Sequence, residues 1–291
     1  MTARRASPAL RADGPAAALT DREFADFQRF IYDAAGISLS AAKKPLVTTR
    51  LAKRLDACGS ASYGDYFQRL AGGDDPAEVQ RAIDLLTTNE TYFFREPKHF
   101  ELLRAVALEA RAAGTSVRAW SAASSSGEEA FSMAMVLEDC LGGNAWEVLG
   151  SDISASVLER ARRGHYAEGR ATQIPPPYLK RFCLKGTAAH AGTLLVDRAL
   201  RARVSFVQAN LNATLPRLGR FDVIFLRNVL IYFDLPTRQR VVRRVIELLA
   251  PGGHFCIGHS ETLNGVTDSL EPVAPSIYRA PGGRKPAKGA R

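Results

Sequence analysis

No uninterrupted apolar run in this sequence approaches the ~18 residues that would span a bilayer. The apolar strip from Val223 to Phe233 is broken by Arg227 and Asn228. The polar, Ala-rich start has no apolar stretch of the kind that leads a chain to export, so a cytoplasmic protein is expected. Cysteine is scarce: Cys58, Cys140, Cys183 and Cys256 show no C-x-x-C spacing. That sets aside a zinc knuckle and a disulfide framework, and leaves reduced, mostly buried thiols. Internal repeats are absent. The formal charge is +9 and the pI about 9.6, but the excess sits at the ends. Arg4, Arg5, Arg11 and Asp13 give residues 1–18 a net +2; Arg279, Arg284, Lys285, Lys288 and Arg291 give residues 279–291 a net +5. Only +2 is left for the middle, so the basicity is a property of two Pro/Gly/Ala-rich tails, 1–18 and 281–291, expected to be disordered.

What is present fits a soluble enzyme. With 291 residues, 46% hydrophobic and 24% charged, the chain is long enough for about two domains. Thr20 and Glu23 form a capping-box pattern, and Phe24, Phe27, Ile31 and Ala34 recur at helical spacing up to Gly36. A second helix is expected from about Lys43 to Cys58, with Val47, Leu51 and Leu55 inward and Lys43, Arg50, Lys53 and Arg54 on a basic arc. A third carries Tyr63, Tyr66, Phe67 and Leu70. A fourth opens at Asp75-Pro76 and buries Val79, Ile83 and Leu86. Residues 19–88 thus read as an all-helical domain.

After Asn89 strands alternate with helices: Val117–Ser121, Glu147–Ser151, Val204–Gln208, Phe221–Leu226 and His254–Gly258. That alternation predicts a parallel sheet with helices on both faces over residues 89–280. Residues 168–203, with Pro175-Pro176-Pro177, break it and read as an inserted small β subdomain.

Three features carry chemistry. Trp120 through Glu129 runs from a strand into a helix through small residues. It lacks G-x-G-x-x-G and ends in two carboxylates, which repel a pyrophosphate but suit an ammonium; S-adenosylmethionine carries both an ammonium and a sulfonium. Asp152 ends the next strand, where an acid can accept from both ribose hydroxyls or, alternatively, cap the following helix. Arg227 through Asp234 follows the apolar strand 221–226 and brings a polar Asn228 to a carboxyl strand end, where ligand crevices form; solvation by a loop is the plainer alternative. No metal-ligand cluster is read.

Together with Leu86 through Arg95, Ser151-Asp152-Ile153, Arg163 through Tyr166, Asn210-Leu211 and Gly258 through Glu261, these segments resemble the protein-glutamate O-methyltransferases of the CheR family, in order over residues 20–280. The resemblance implies a helical domain followed by a Rossmann-like methyltransferase domain with a β insertion. It implies a cofactor, S-adenosylmethionine, surrounded by Asn89, Thr91, Arg95, Glu129, Asp152, Asn210, Leu211, Asn228 and Val229. Arg95 and Tyr232 would lie nearest the transferred methyl. It also implies chemoreceptor methylation helices as partners, docking on the basic arc, and a possible receptor tail on the β subdomain. Ala130 and Phe131 stand where the family often has Pro and Tyr. Because a glutamate carboxylate is ionised at neutral pH, no general base is needed, and His99 and His259 are expected to be structural. Two further readings are a catalytically silent cofactor-binding module and, from the pI, an RNA methyltransferase.

Overall fold

The computed structural model describes residues 18–282 apart from residue 144. The two expected tails fall outside the described residues except at 18, 281 and 282.

Helix α1 (Asp21–Ala35) starts on the Thr20–Glu23 capping box and ends at Gly36, whose φ of 74° gives the left-handed cap. Helices α2 (Lys44–Cys58), α3 (Tyr63–Gly72) and α4 (Pro76–Leu86) pack with it around Phe27, Ile31, Leu51, Tyr63, Tyr66 and Leu70. One expectation fails in α4: Glu78, 1% exposed, is buried and Val79 only half so. The reason is polar. Glu78 accepts from Arg54 Nε (2.9 Å) and Tyr66 Oη (2.8 Å). The basic arc is corrected accordingly: Arg54 is an internal ion-pair partner of Glu78, and Arg50 turns inward to the carbonyls of Leu85 (3.1 Å) and Thr87 (2.7 Å). Lys43 and Lys53 remain exposed.

Burial alone would raise the Glu78 carboxyl, but hydrogen bonds from Arg54, Tyr66 and Arg81 outweigh it and hold its pKa at about 2. A depressed carboxyl stabilises the fold above its unfolded value, about 4.3, and that share is lost as the pH falls toward 2. Glu78→Gln is therefore expected to cost about 3 kcal/mol in urea unfolding at neutral pH and to flatten the loss of stability between pH 4 and 2. An unchanged acid limb would contradict the assignment.

The larger region begins with α5 (Lys98–Ala113), β1 (Val117–Ser121), α6 (Glu128–Leu141), β2 (Trp146–Asp152) and α7 (Ala155–Arg163). Next come β3 (His165–Ala167), α8 (Pro176–Phe182), β4 (Cys183–Lys185), β5 (Thr193–Val196) and α9 (Arg198–Arg201). The chain closes with β6 (Val204–Gln208), β7 (Phe221–Leu226), α10 (Leu235–Ile246), β8 (Leu249–Ile257), β9 (Glu271–Ala274) and β10 (Ile277–Arg279). The main sheet has the order β6-β2-β1-β7-β8-β10-β9. Its first five strands are parallel, but β10 runs antiparallel to β8 and to β9, so the sheet is mixed where a parallel one was expected. Strand neighbours point to opposite faces: Trp120 and Ile224 join the core shared with the helical bundle, whereas Ala119, Val223 and Phe225 join the core under α5 and α6.

The inserted sheet, β3-β5-β4, is antiparallel. It starts at His165, ahead of the expected residue 168, because Gly164 (φ 59°) ends α7 and the chain enters β3 directly. The proline triplet read as a breaker opens α8, whose first turn tolerates proline.

Candidate active site

The carboxyl ends of the parallel strands lie along one edge of the sheet, and strand order fixes what stands side by side there. Residues 209–211 follow β6, Asp152 ends β2, the Ser121–Gly127 loop leaves β1, and Arg227 to Val229 leave β7. The helical bundle closes this edge from above. Asn210 Nδ2 donates to the Ala34 carbonyl (2.7 Å), Ser38 N to the Tyr232 carbonyl (2.8 Å), and Tyr32 Oη to Asp234 (2.8 Å). Asp84 accepts from the backbone of Ala155 and Ser156 at the start of α7. Between the two lies a cleft of about 810 Å³ of empty space, part of it open to solvent.

Every cofactor residue expected from the sequence lines this cleft: Asn89, Thr91, Arg95, Glu129, Asp152, Asn210, Leu211, Asn228 and Val229, with Tyr232 beside them. Ala35, Ile37, Thr88, Glu90 and Arg227 also line it and were not singled out.

Asp152 is 7% exposed and takes one backbone N–H on each oxygen, Ser125 N on Oδ2 and Ser154 N on Oδ1, both at 2.9 Å. Ser154 itself caps α7, so Asp152 is not the cap. A carboxylate offers about four acceptor positions, so lone pairs stay free toward the cleft. Burial raises its pKa, against the pull of these N–H groups.

The two carboxylates at the start of α6 part company. Glu128, fully buried, turns away to Arg170 (Nε, 2.6 Å) and Ser126 Oγ (2.7 Å). Only Glu129 faces the cleft. Its Oε1 accepts from Ser121 Oγ (2.7 Å) and its Oε2 from Arg227 Nη1 (2.9 Å). Burial pushes the Glu129 carboxyl up, opposed by Arg227.

Asn228 adopts φ 57°, the left-handed region, and is held there by Glu261, which accepts from Asn228 N (2.8 Å) and Gly258 N (2.6 Å). Gly258 is obligatory beside it: a Cβ there would stand 2.4 Å from Asn228 Nδ2. Asn228 Nδ2 reaches Glu96 Oε1 at 3.2 Å, the partner that a polar residue beside a core strand requires.

Arg95 stacks on Tyr92 (5.6 Å), donates to the Glu90 carbonyl (3.3 Å) and forms no ion pair among the described residues. The Tyr232 phenol lies near Arg95 and Arg50; burial raises its pKa, so it stands as a neutral donor. His99 is fully buried against Ser276 Oγ (2.8 Å), and burial, with the Arg227 charge nearby, holds it at about 3. Glu96, His99 and His259 place ligand-type atoms within 4.8 Å of one another. The Glu96 carboxylate already faces Arg227 at 3.1 Å, so a dication there would stand beside a guanidinium.

Comparison with known proteins defines the class. Residues 22–87 match the CheR methyltransferase all-alpha domain and residues 89–278 the CheR methyltransferase SAM binding domain. The chain is similar to the chemotaxis protein methyltransferase of Klebsiella aerogenes, 42% identical over 281 residues that cover 95% of both chains. It is also similar to that of Escherichia coli K12, 42% identical over 266 residues that cover 90% of this chain and 91% of the relative. Chemotaxis protein methyltransferase 2 of Pseudomonas aeruginosa is 40% identical over 262 residues, covering 89% of this chain and 93% of the relative. The chain belongs to the CheR methyltransferase family and is an enzyme that takes its methyl group from S-adenosylmethionine. Among the described residues no helix is long and apolar enough to cross a membrane.

Proposed function

We propose that S-adenosylmethionine lies extended along the strand ends and that its methyl passes to glutamate side chains of chemoreceptors in the cytoplasm. Strand order supports the direction. Asn210 and Leu211, beyond β2, flank the base; Asp152 accepts from the ribose hydroxyls; Glu129 meets the ammonium; and Asn89, Thr91, Asn228 and Val229 close the methionyl end. Asn210 acts through position, since its amide is engaged with Ala34 and Asn212. Bound there, the cofactor supplies an electrophilic methyl on a sulfonium.

The observation that carries the reading is a cleft lined by the buried carboxylate of Asp152, the half-buried carboxylate of Glu129, the Arg95 guanidinium, which forms no ion pair among the described residues, and no histidine. That set suits a nucleophile that arrives ionised, as a glutamate does at neutral pH. Arg95 holds one oxygen of the incoming carboxylate through its planar fork while the other faces the methyl. Tyr232 walls the path and donates to the acceptor. The helical bundle covers one side of the cleft and limits water there, which favours a step in which opposite charges cancel.

Docking of the acidic receptor helix falls to Lys43 and Lys53, the exposed remainder of the α2 arc. A receptor tail can add to the small sheet, whose β3 and β4 are both edge strands. Incubation with methyl-labelled cofactor and a receptor cytoplasmic fragment is expected to give base-labile label on glutamate peptides. Label appearing in RNA instead, or base-stable label on protein, would reject the reading.

A further inference from the structure

Arg227 is an expensive residue to bury, and methyl transfer as described does not use it. Its side chain is 1% exposed, at the end of β7, over the rings of Phe225 (5.3 Å) and Phe100 (5.8 Å). A buried guanidinium persists only when its donors are met, and these are met by groups with one thing in common. Nη1 binds Glu129 Oε2 at 2.9 Å. Nε and Nη2 reach Glu96 Oε2 at 3.3 and 3.1 Å, and Nη2 also donates to the backbone carbonyl of Arg95. One planar fork thus joins the acid assigned to the cofactor ammonium to the peptide that carries the substrate arginine. That peptide needs fixing: Phe94 (φ 54°) and Glu96 (φ 59°), on either side of Arg95, are both in the left-handed region.

We infer that Arg227 is a positioning residue for the reaction: its ion pair keeps the Glu129 carboxylate aimed at the cleft, and its bond to the Arg95 carbonyl locks the backbone of Arg95 at a set distance from it. The inference rests on the cofactor role of Glu129 proposed above. The groups that face Glu129 are Arg227 from the β7 loop, Glu96 and Arg95 from the segment before α5, Ser121 on β1 and Cys256 on β8. Burial drives Glu129 toward its protonated form, Glu96 adds to that drive, and Arg227 is the main opposing charge. Without the guanidinium, Glu129 takes up a proton as the pH falls, and a neutral carboxyl no longer attracts an ammonium.

The test uses the full chain, with S-adenosylhomocysteine as the probe in calorimetry and single-turnover methylation of a receptor fragment as the rate. In Arg227→Gln the dissociation constant is expected to weaken about tenfold between about pH 8 and pH 6, while the wild type changes less than about twofold. Arg227→Lys keeps a charge beside Glu129 but cannot span to Arg95. It is expected to bind the probe within about threefold of wild type, without the pH dependence, yet to turn over about tenfold more slowly. A folded Arg227→Gln with pH-independent affinity would overturn the inference, as would wild-type turnover in Arg227→Lys. If Arg227→Gln does not fold, the lysine variant decides: loss of turnover with affinity kept supports the inference, and loss of both in proportion refutes it. Glu129→Gln tests the ammonium role by itself, because unchanged probe affinity in that variant removes it.

Discussion

Arg95→Ala is expected to lower turnover by about two to three orders of magnitude while leaving the affinity for S-adenosylhomocysteine within about threefold. Arg95 is half-buried in the cleft lining and, among the described residues, its side chain is committed only to a carbonyl and an aromatic face. Its fork is therefore available to a carboxylate from outside. Removing it leaves the acids proposed to meet the cofactor untouched, since Glu129 is held by Ser121 and Arg227, and Asp152 by backbone N–H groups. The incoming carboxylate loses the contact that fixes its attacking oxygen, a loss of orientation and not of binding to the cofactor. Arg95→Lys should fall between the two, because an ammonium attracts a carboxylate but lacks the planar fork that orients the held oxygen. Steady-state kinetics with calorimetry distinguishes the cases. Equal loss of turnover and of cofactor affinity would place Arg95 on the cofactor side instead.

Asp152→Ala has the opposite signature. Two hydrogen bonds from ribose hydroxyls to a buried carboxylate are together worth about 3 kcal/mol, so the dissociation constant for S-adenosylhomocysteine should rise about a hundredfold. Asp152 also satisfies Ser125 N and Ser154 N in the same buried turn, so the alanine variant loses fold stability as well. Asp152→Asn separates the two effects. It keeps the shape and one acceptor, and is expected to melt within a few degrees of wild type while binding the probe about tenfold more weakly. If the asparagine variant binds as the wild type does, Asp152 serves the loop and not the ribose.

The pattern of what could be read in advance has a physical origin. Strands β1, β6 and β7 are short apolar runs with turn residues at their ends, and their limits emerge at the expected residues. Asp152 and Glu129 are marked by where they fall, at a carboxyl strand end and a helix start. Pairings across the chain leave no such mark. Arg227 and Glu96 are 131 positions apart, and nothing in the periodicity of either segment announces the other. Glu78 was hidden by phase: it lies one residue from Val79, and only the approach of Arg54 and Tyr66 makes the carboxylate the inward choice. The terminal hairpin escaped because β9 is exposed along its whole length and β10 is three residues long, too little for an alternating pattern. Ala35 and Ile37 line the cleft only because the helical bundle folds back over the sheet.

The proposed pose lays the methyl donor along the strand ends in the order base, ribose, ammonium, with its methyl facing Arg95 and Tyr232. A crystal structure of the complex with S-adenosylhomocysteine tests it directly. The expected result has the ribose hydroxyls on Asp152, the ammonium at Glu129 and the sulfur facing the Arg95 side. A nucleoside found outside this cleft, or in it with the ends reversed, would contradict the account.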